Sequence, residues 1–265
     1  MIFYKKILIL LLISYFAICL FMFLFQRTFM YHPDINSYDD TGIKFEFKKV
    51  EISSTENIVL NSWYSFKNSN YKTLVFFHGN AGNLNNRIYK LNKINQLNLN
   101  FLIISWRGFS GNQGKPTEDG LYQDAKSSIR WLEQKGIIKT NIILYGESLG
   151  TGVALELAKD SKYAGIILES PYTSMVAMAK KIYPFLPVSI LVKDRFESLS
   201  KIKKNVSPIL IMHGEMDTLV PAHMGKTLFQ EANNPKYSYF PSSDDHMMKY
   251  DIKLVSVLRD FISAL

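Results

Sequence analysis

The stretch GESLG at residues 146–150 lies between two segments of different character, and it decides the fold. The apolar run Ile142–Tyr145 before it is typical of a buried strand, and Leu149–Lys159 after it is typical of a helix. A serine at such a sharp strand-to-helix turn has a strained backbone, and its hydroxyl projects at a helix N-terminus, where developing negative charge is favoured. A plain glycine- and serine-containing loop is the competing interpretation. The flanking strand and helix favour the first, and we predict that Ser148 is a nucleophile.

Strand-like and helix-like stretches alternate outward from this turn, which indicates an α/β layer architecture. The expected strands are Phe45–Ile52, Ile58–Ser65, Thr73–Phe77, Phe101–Ser105, Ile142–Tyr145, Ile166–Leu168, Ile209–Met212 and Tyr237–Phe240. The expected helices are Leu84–Leu97, Thr117–Gln134, Leu149–Lys159, Ala222–Ala232 and Ile252–Leu265. A chain of 265 residues, 47% of them apolar, holds one sizeable core. We therefore predict one domain over residues 31–265, with a mostly parallel sheet and helices on both faces.

A nucleophilic serine needs a histidine base, and the base needs an acid that fixes its tautomer. Folds with this turn carry the three groups in the chain order serine, acid, histidine. Asp217 lies in HGEMDTLVP directly after one expected strand, and His246 lies in SSDDHMMK after the last one. Ligand sites collect at these C-terminal strand ends in open α/β sheets. We predict Asp217 as the acid and His246 as the base.

Other residues compete for both roles. The alternatives are Glu215, Asp244 and Asp245 for the acid, and His213, His223 and His32 for the base. We expect His213 to buttress the loop that carries Asp217, because it comes first in the same turn. His223 falls at a helix start, where we expect it to be exposed, and His32 is close to the N-terminal apolar segment.

Acyl transfer also needs two N–H groups that face the oxyanion of the tetrahedral intermediate. One is expected to be the backbone amide of Leu149, directly after the nucleophile. The other is expected from the loop HGNAGN at residues 78–83, and we predict the Asn80 amide, with Ala81 as the alternative. His78 is expected to be a structural hydrogen-bonding residue. The same loop is a poor phosphate cradle, because no Walker-type lysine and hydroxyl follow it.

The N-terminal segment has the length and composition of a membrane anchor. Residues 7–25 (ILILLLISYFAICLFMFLF) form 19 uncharged residues, which as a helix rise roughly 28 Å, close to the hydrocarbon thickness of a bilayer. A cleaved signal peptide has a shorter apolar region that ends at small residues. Here bulky phenylalanines occupy the expected cleavage region, so residues 1–30 are predicted to be an uncleaved anchor that contacts membrane lipid. Lys5 and Lys6 against the single Arg27 predict a cytoplasmic N-terminus and a catalytic domain on the outer (periplasmic or extracytoplasmic) side.

Composition narrows the remaining classes of function. The formal net charge is +8, but the lysines and arginines are scattered and form no nucleic-acid motif, so no nucleic-acid partner is expected. The single cysteine, Cys19, excludes an intramolecular disulfide. No metal cluster or nucleotide fingerprint stands out, and we expect neither metal nor cofactor. The oligomeric state is not predicted.

A segment of about 37 residues, the insert (residues 171–207), leaves the sheet at a position from which it could form a lid over the site. Its apolar side chains are expected either to line an acyl pocket, to face the bilayer or simply to pack a helix on the sheet. They are Met175, Met178, Tyr183, Phe185, Leu186, Ile190 and Leu191. Because the insert is short, we expect a shallow and accessible site.

The motifs taken together resemble the Bem46-like α/β-hydrolases, including the membrane-anchored abhydrolase-domain-13 type. The resemblance rests on HGNAGN, SWRGFSGNQGKPTEDG, YGESLGTGVA, ESPYTSM, DRFESLSKI and HGEMDTLVP behind an N-terminal anchor, and it covers about residues 31–265. It implies a serine hydrolase for ester or thioester bonds with the triad Ser148, Asp217 and His246. The segment DDHMMK around His246 departs from the usual local sequence of that family. Related hydrolases remove fatty acyl groups from protein cysteines, and a non-catalytic tethered binding protein is the alternative outside enzymes.

Overall fold

The computed structural model describes residues 1–36 and 40–265, and these residues build an α/β fold around an eight-stranded sheet. The strands of the fold are β1 His32–Pro33, β2 Lys48–Ser53, β3 Val59–Ser65, β4 Lys72–Phe77, β5 Ala81–Gly82, β6 Leu99–Ile104, β7 Ile142–Glu147, β8 Gly165–Glu169, β9 Ile209–Met212 and β10 Lys236–Tyr239. Strands β1 and β5 form a separate pair, and the other strands form the sheet. The α-helices are α1 Ile2–Met30, α2 Ile88–Ile94, α3 Glu118–Glu133, α4 Leu149–Ala158, α5 Met175–Ile182, α6 Val188–Leu191, α7 Ser198–Ile202, α8 Ala222–Glu231 and α9 Ile252–Ser263.

The sheet is mostly parallel. Its order is β2-β3-β6-β4-β7-β8-β9-β10, and the contacts of β3 with β2 and β6 are antiparallel, whereas the others are parallel. The C-terminal ends of β4, β7, β9 and β10 therefore share one edge of the sheet. The loops that carry the predicted site residues all leave from this edge, which is where ligands bind in open parallel sheets.

Helices cover both faces, as the fold-class prediction requires, and that prediction is confirmed. Successive side chains of a strand point to opposite faces, so Val75 and Phe76 of β4 belong to different apolar clusters. The first cluster includes Leu121 of α3 and Val153 of α4. The second includes Leu258 of α9. Strands buried on both faces explain why their sequences are continuous apolar runs.

Several predicted boundaries were wrong. The first hairpin strand begins at Lys48 rather than Phe45, since Lys48 opposite Tyr64 is the outermost pair of its register with β3. Phe45 and Phe47 precede the strand and pack on the second apolar cluster, which explains the alternation that predicted a longer strand. The helix predicted over Leu84–Leu97 begins with a 3₁₀ turn that Asn83 caps, and only Ile88–Ile94 is α-helical. The last strand is Lys236–Tyr239, one residue earlier than predicted.

Helix α1 is long and apolar enough to cross a membrane and is a candidate transmembrane span. The side chains of residues 1–18 are exposed. Its C-terminal part packs on the insert through the docking stripe, which consists of Cys19, Met22, Gln26 and Met30.

Candidate active site

The GESLG stretch forms a sharp turn between β7 and α4. Ser148 has φ of 50° and ψ of −113°, a conformation that L-residues rarely adopt and that stores strain. The flanking glycines are dictated by space, because a Cβ on Gly150 would lie 2.0 Å from the carbonyl oxygen of Phe77. A Cβ on Gly146 would lie 2.6 Å from the carbonyl oxygen of Gly150. The turn therefore needs both glycines and holds the Ser148 side chain clear of the sheet.

The structure brings Ser148, His246 and Asp217 into one hydrogen-bonded chain. His246 Nε2 lies 3.1 Å from Ser148 Oγ, and His246 Nδ1 lies 2.7 Å from Asp217 Oδ2. A carboxylate only accepts hydrogen bonds, so Nδ1 carries the proton that faces Asp217. Nε2 is then left as the acceptor for the Ser148 hydroxyl. This is the contact geometry of an activated nucleophile, in which base and orienting acid lie within hydrogen-bond reach.

Asp217 is held as a carboxylate. Burial alone would raise its pKa, but hydrogen bonds from His213 and His246 lower the pKa of Asp217 well below its ordinary value. His213 Nε2 lies 3.0 Å from the Oδ2 atom that His246 also contacts, and the amides of Leu219 and Val220 donate to Oδ1 at 2.9 and 2.8 Å. His213 was expected to support the loop that carries Asp217, and its ring contacts the Asp217 carboxylate directly.

The predicted oxyanion donors both lie beside Ser148 in the same pocket. Leu149 is the first residue of α4, so its amide has no acceptor within the helix. The Asn80 carbonyl accepts a hydrogen bond from the His32 amide at 2.8 Å, and its side-chain amide donates to the Met30 carbonyl at 2.8 Å. The last residue of the N-terminal helix and the segment just after it therefore fix the position of Asn80.

His78 lies in the same loop but is fully buried. Burial, with the Arg87 charge nearby, lowers the pKa of His78 to about 3, so the ring is neutral near pH 7. Its Nε2 accepts from the Trp106 amide at 3.4 Å, and its carbonyl accepts from the Trp106 indole at 3.0 Å. These contacts give His78 a structural role.

A group that sequence reasoning missed is the ionic cluster, formed by Arg87, Lys90, Glu147 and Glu169 beneath the nucleophile. Each side chain in it is at most 6% exposed. Lys90 Nζ contacts Glu147 at 2.5 Å and Glu169 at 2.6 Å, and Arg87 contacts Glu147 at 2.8 Å. A glutamate at the end of each of two buried apolar strands was the available signal, because such a carboxylate requires a cation.

The ionic cluster also fixes the predicted oxyanion loop. Glu147 Oε1 accepts from the Gly79 amide at 3.2 Å, and Arg87 donates to the carbonyls of Ala81 at 2.7 Å and Asn83 at 3.2 Å. One glutamate, next to Ser148 in sequence, thus connects the turn of the nucleophile to the loop of Asn80.

A pocket of about 260 Å³ opens above Ser148. The insert contributes most of its apolar wall, namely Tyr172, Met175, Met178, Ala179, Ile182, Tyr183, Leu186, Val188, Leu191 and Val192. Most of the side chains proposed from sequence for an acyl pocket are therefore in place, while Phe185 and Ile190 are exposed instead. Helix α1 contributes Met22, Gln26, Phe29 and Met30, which sequence reasoning did not anticipate.

Apart from His213, which contacts Asp217, the rival residues lie outside the hydrogen-bonded chain. Glu215 pairs with Lys226 at 2.6 Å on the surface, and His223 is exposed. Asp244 accepts from the Lys249 amide, and Asp245 accepts from the His246 amide, so both organise the loop of the base. His32 borders the pocket from the side of α1. Within residues 1–36 and 40–265, no three metal-ligating side chains cluster in a way that could hold a metal ion.

Comparisons with known proteins agree with this architecture. Residues 72–189 match the family described as the alpha/beta hydrolase fold. An uncharacterized protein of Mycobacterium tuberculosis is 30% identical over 83% of this chain and 80% of its own length. Protein bem46 of Schizosaccharomyces pombe is 27% identical over 92% of this chain and 87% of its own length. An esterase of Pyrococcus furiosus shares the fold with a TM-score of 0.71 at 19% identity, covering 89% of this chain and 97% of that one.

Proposed function

The chain belongs to the Bem46-like family of α/β-hydrolases, and we propose that it is a membrane-anchored serine hydrolase that cleaves carboxylic ester or thioester bonds through an acyl-Ser148 intermediate. One observation carries the proposal. The contacts of His246 with Ser148 at 3.1 Å and with Asp217 at 2.7 Å supply nucleophile, base and orienting acid in a single chain.

In the first half-reaction, Ser148 Oγ attacks the acyl carbon while His246 Nε2 takes the hydroxyl proton. Asp217 keeps the imidazole in the required tautomer and stabilises the imidazolium that forms. The carbonyl oxygen becomes an oxyanion, for which the amides of Leu149 and Asn80 are the proposed donors. The tetrahedral intermediate then expels the alcohol or thiol, which takes the proton from His246, and leaves an ester on Ser148.

In the second half-reaction, a water molecule gives its proton to His246 and attacks the acyl-Ser148 carbonyl. The intermediate releases the carboxylic acid, and Ser148 recovers its proton from the imidazolium. Apart from the substrate and this water molecule, both steps use groups of this chain. The apolar wall of the pocket supports an acyl group as the portion of the substrate that the protein binds, which suits esters and the thioesters of a protein deacylase alike.

Helix α1 supports a location in the membrane as a single-pass protein. We propose that the N-terminus is cytoplasmic and the hydrolase domain lies on the outer side, because Lys5 and Lys6 precede the span and only Arg27 follows closely. Protease added to intact spheroplasts should then degrade the domain. A domain that stays protected until the membrane is broken would reverse this orientation.

A fluorophosphonate probe tests the proposed chemistry, because it reacts only with an activated serine. Wild-type protein should label and hydrolyse p-nitrophenyl acetate, whereas Ser148→Ala and His246→Ala should each lose at least about 10³-fold in kcat. Ser200→Ala, on an exposed serine of α7, is the matched control and should behave as wild type. Equal labelling of wild type and Ser148→Ala, or no labelling of either, would favour a non-catalytic binding protein instead.

A further inference from the structure

The C-terminal part of α1 is built into the hydrolase domain. The docking stripe recurs at intervals of three and four residues, the spacing of one helix face. Cys19 and Met22 pack against Leu186 and Val188 of the insert. The exposed Leu24 lies on the opposite side of the helix. A helix that served only as a tether would need no such face.

Polar contacts hold this part of the helix at a defined position. The Gln26 side chain donates to the Leu191 carbonyl at 2.9 Å and accepts from the Lys193 amide at 2.8 Å. Arg27 binds Asp194 through two nitrogens at 2.8 and 2.9 Å, and Asp194 is 5% exposed. Bidentate charge-assisted contacts of this kind fix geometry as well as adding energy. The last turns of α1 and the insert therefore form one unit.

The docked helix closes one side of the pocket above Ser148. Met22, Gln26 and Phe29 face the same space as Met178 and the nucleophile. The volume of about 260 Å³ is just below the range for small-molecule sites, roughly 300–1,000 Å³. With a largely apolar wall, such a pocket suits a single acyl chain rather than two.

A further contact between α1 and the insert sets the depth of the insert relative to a bilayer. Tyr15, in the middle of the apolar run, donates a hydrogen bond to the Phe185 carbonyl at 2.9 Å. Tyr15 precedes Phe25, the end of the run, by about 15 Å of helix rise. When that run crosses the hydrocarbon layer, the hydrogen bond to Tyr15 places Phe185 at the depth of the lipid acyl chains. Phe185 and Ile190 are 63% and 81% exposed, which suits side chains that contact acyl chains of the bilayer.

We propose that the transmembrane helix is a wall of the acyl-binding pocket, and that the pocket receives a single fatty acyl chain, in ester or thioester linkage, directly from the bilayer. This inference rests on the proposed hydrolase function and adds the substrate class and its route. Met22 of α1 and Met178 of the insert, which both line the pocket, are its specificity-determining residues. The acyl carbon reaches Ser148 while the chain lies between α1 and the insert.

Full-length Met22→Trp, with the matched control Leu24→Trp on the lipid-facing side of the same helix, tests the wall. Both are assayed in the same detergent with p-nitrophenyl acetate and p-nitrophenyl octanoate, so that partitioning of each ester is common to the variants. The larger ring at position 22 should fill the pocket and lower the octanoate-to-acetate ratio of kcat/KM at least about tenfold. Leu24→Trp should keep the wild-type ratio of the two esters.

The possible results separate this inference from the function on which it depends. Suppose that acetate hydrolysis and fluorophosphonate labelling persist, but Met22→Trp leaves the octanoate-to-acetate ratio unchanged or Leu24→Trp lowers it equally. This result would overturn the proposal that α1 is a wall of the pocket and would leave the hydrolase function intact. Absence of labelling and of acetate hydrolysis in the wild type would remove the hydrolase itself. Met178→Trp is a second variant, on the insert, and should shift the ratio in the same direction as Met22→Trp.

Two vesicle assays identify where the acyl chain comes from and test its entry from the bilayer. Wild type is reconstituted in vesicles of ether-linked phosphatidylcholine, which contains no ester to cleave, together with either a monoacyl glycerophospholipid or an S-palmitoyl cysteine peptide. Release of palmitate from one of them, lowered at least about tenfold by Met22→Trp, supports the proposal and names the source. Hydrolysis of p-nitrophenyl acetate without palmitate release from either would refute it.

Discussion

The ionic cluster beneath the nucleophile makes Lys90 a position where a small change should strongly lower stability. Its four charges cancel, with Arg87 and Lys90 against Glu147 and Glu169. Burial disfavours the charged ammonium, but the two glutamates hold the pKa of Lys90 above its ordinary value. Lys90→Met keeps most of the side-chain volume and leaves one net negative charge buried.

The magnitude follows from what stays behind. Glu169 retains the hydroxyls of Tyr145 and Tyr250, each at 2.6 Å, and Glu147 retains Arg87, but no other cation of the ionic cluster contacts Glu169. Removing one partner of a buried ion pair costs about 3–5 kcal/mol. In a domain of this size each kcal/mol lowers Tm by about 2–4 °C, so Lys90→Met should lower Tm by about 6–20 °C.

Differential scanning fluorimetry of the full-length protein in detergent measures the change. Lys226→Met removes an exposed lysine that contacts Glu215 at 2.6 Å, and it should cost at most about 1 kcal/mol. The double variant Lys90→Met/Glu169→Gln restores neutrality and should recover part of the lost Tm. A Lys90→Met protein as stable as Lys226→Met, or a double variant less stable than Lys90→Met alone, would refute the reasoning.

Three further changes test other parts of the site. Because the Asp217 pKa is lowered on folding, its ionisation stabilises the protein above about pH 4, and that stability is lost as pH falls further. The Tm difference between wild type and Asp217→Asn should therefore shrink from pH 7 to pH 3. A constant difference would contradict this. Gly150→Ala forces a Cβ against the Phe77 carbonyl and should abolish fluorophosphonate labelling of whatever protein remains folded, so full labelling would disprove the steric argument. Phe185→Glu should lower palmitate release from vesicles at least about tenfold and leave acetate hydrolysis unchanged, because a carboxylate is costly in lipid; unchanged palmitate release would place Phe185 outside the bilayer.

The sequence predicted those parts of the molecule that local rules dictate. Ser148 was identifiable because a strand, a serine and two obligatory glycines must be adjacent in the chain. Asp217 and His246 were placed because parallel strands end at one edge, so that loops far apart in sequence meet there. The structure places all three in hydrogen-bond contact.

Other features depend on contacts between distant segments and leave no periodic trace. The pairing of His32–Pro33 with Ala81–Gly82 involves two residues on each side, too few to show an alternation. Lys90 and Glu169 are 79 positions apart in the chain, and lysine and glutamate are residue types that usually lie on the surface. The helix predicted through this region was too long for a different, local reason, since Asn83 and Asn86 cap each other's backbone and start a 3₁₀ turn instead.

The anchor illustrates the difference most clearly. Apolar length alone predicted a membrane segment, and by that criterion every residue of the run is equivalent. The fold makes them unequal, because Met22 faces the pocket while Leu24 is exposed on the other side. The backbone at the end of the helix and just after it then binds Asn80, through the Met30 carbonyl and the His32 amide. A segment that sequence composition assigns to the lipid alone thus contacts both the pocket and the loop beside the nucleophile, so its removal should alter the reaction as well as the location of the protein.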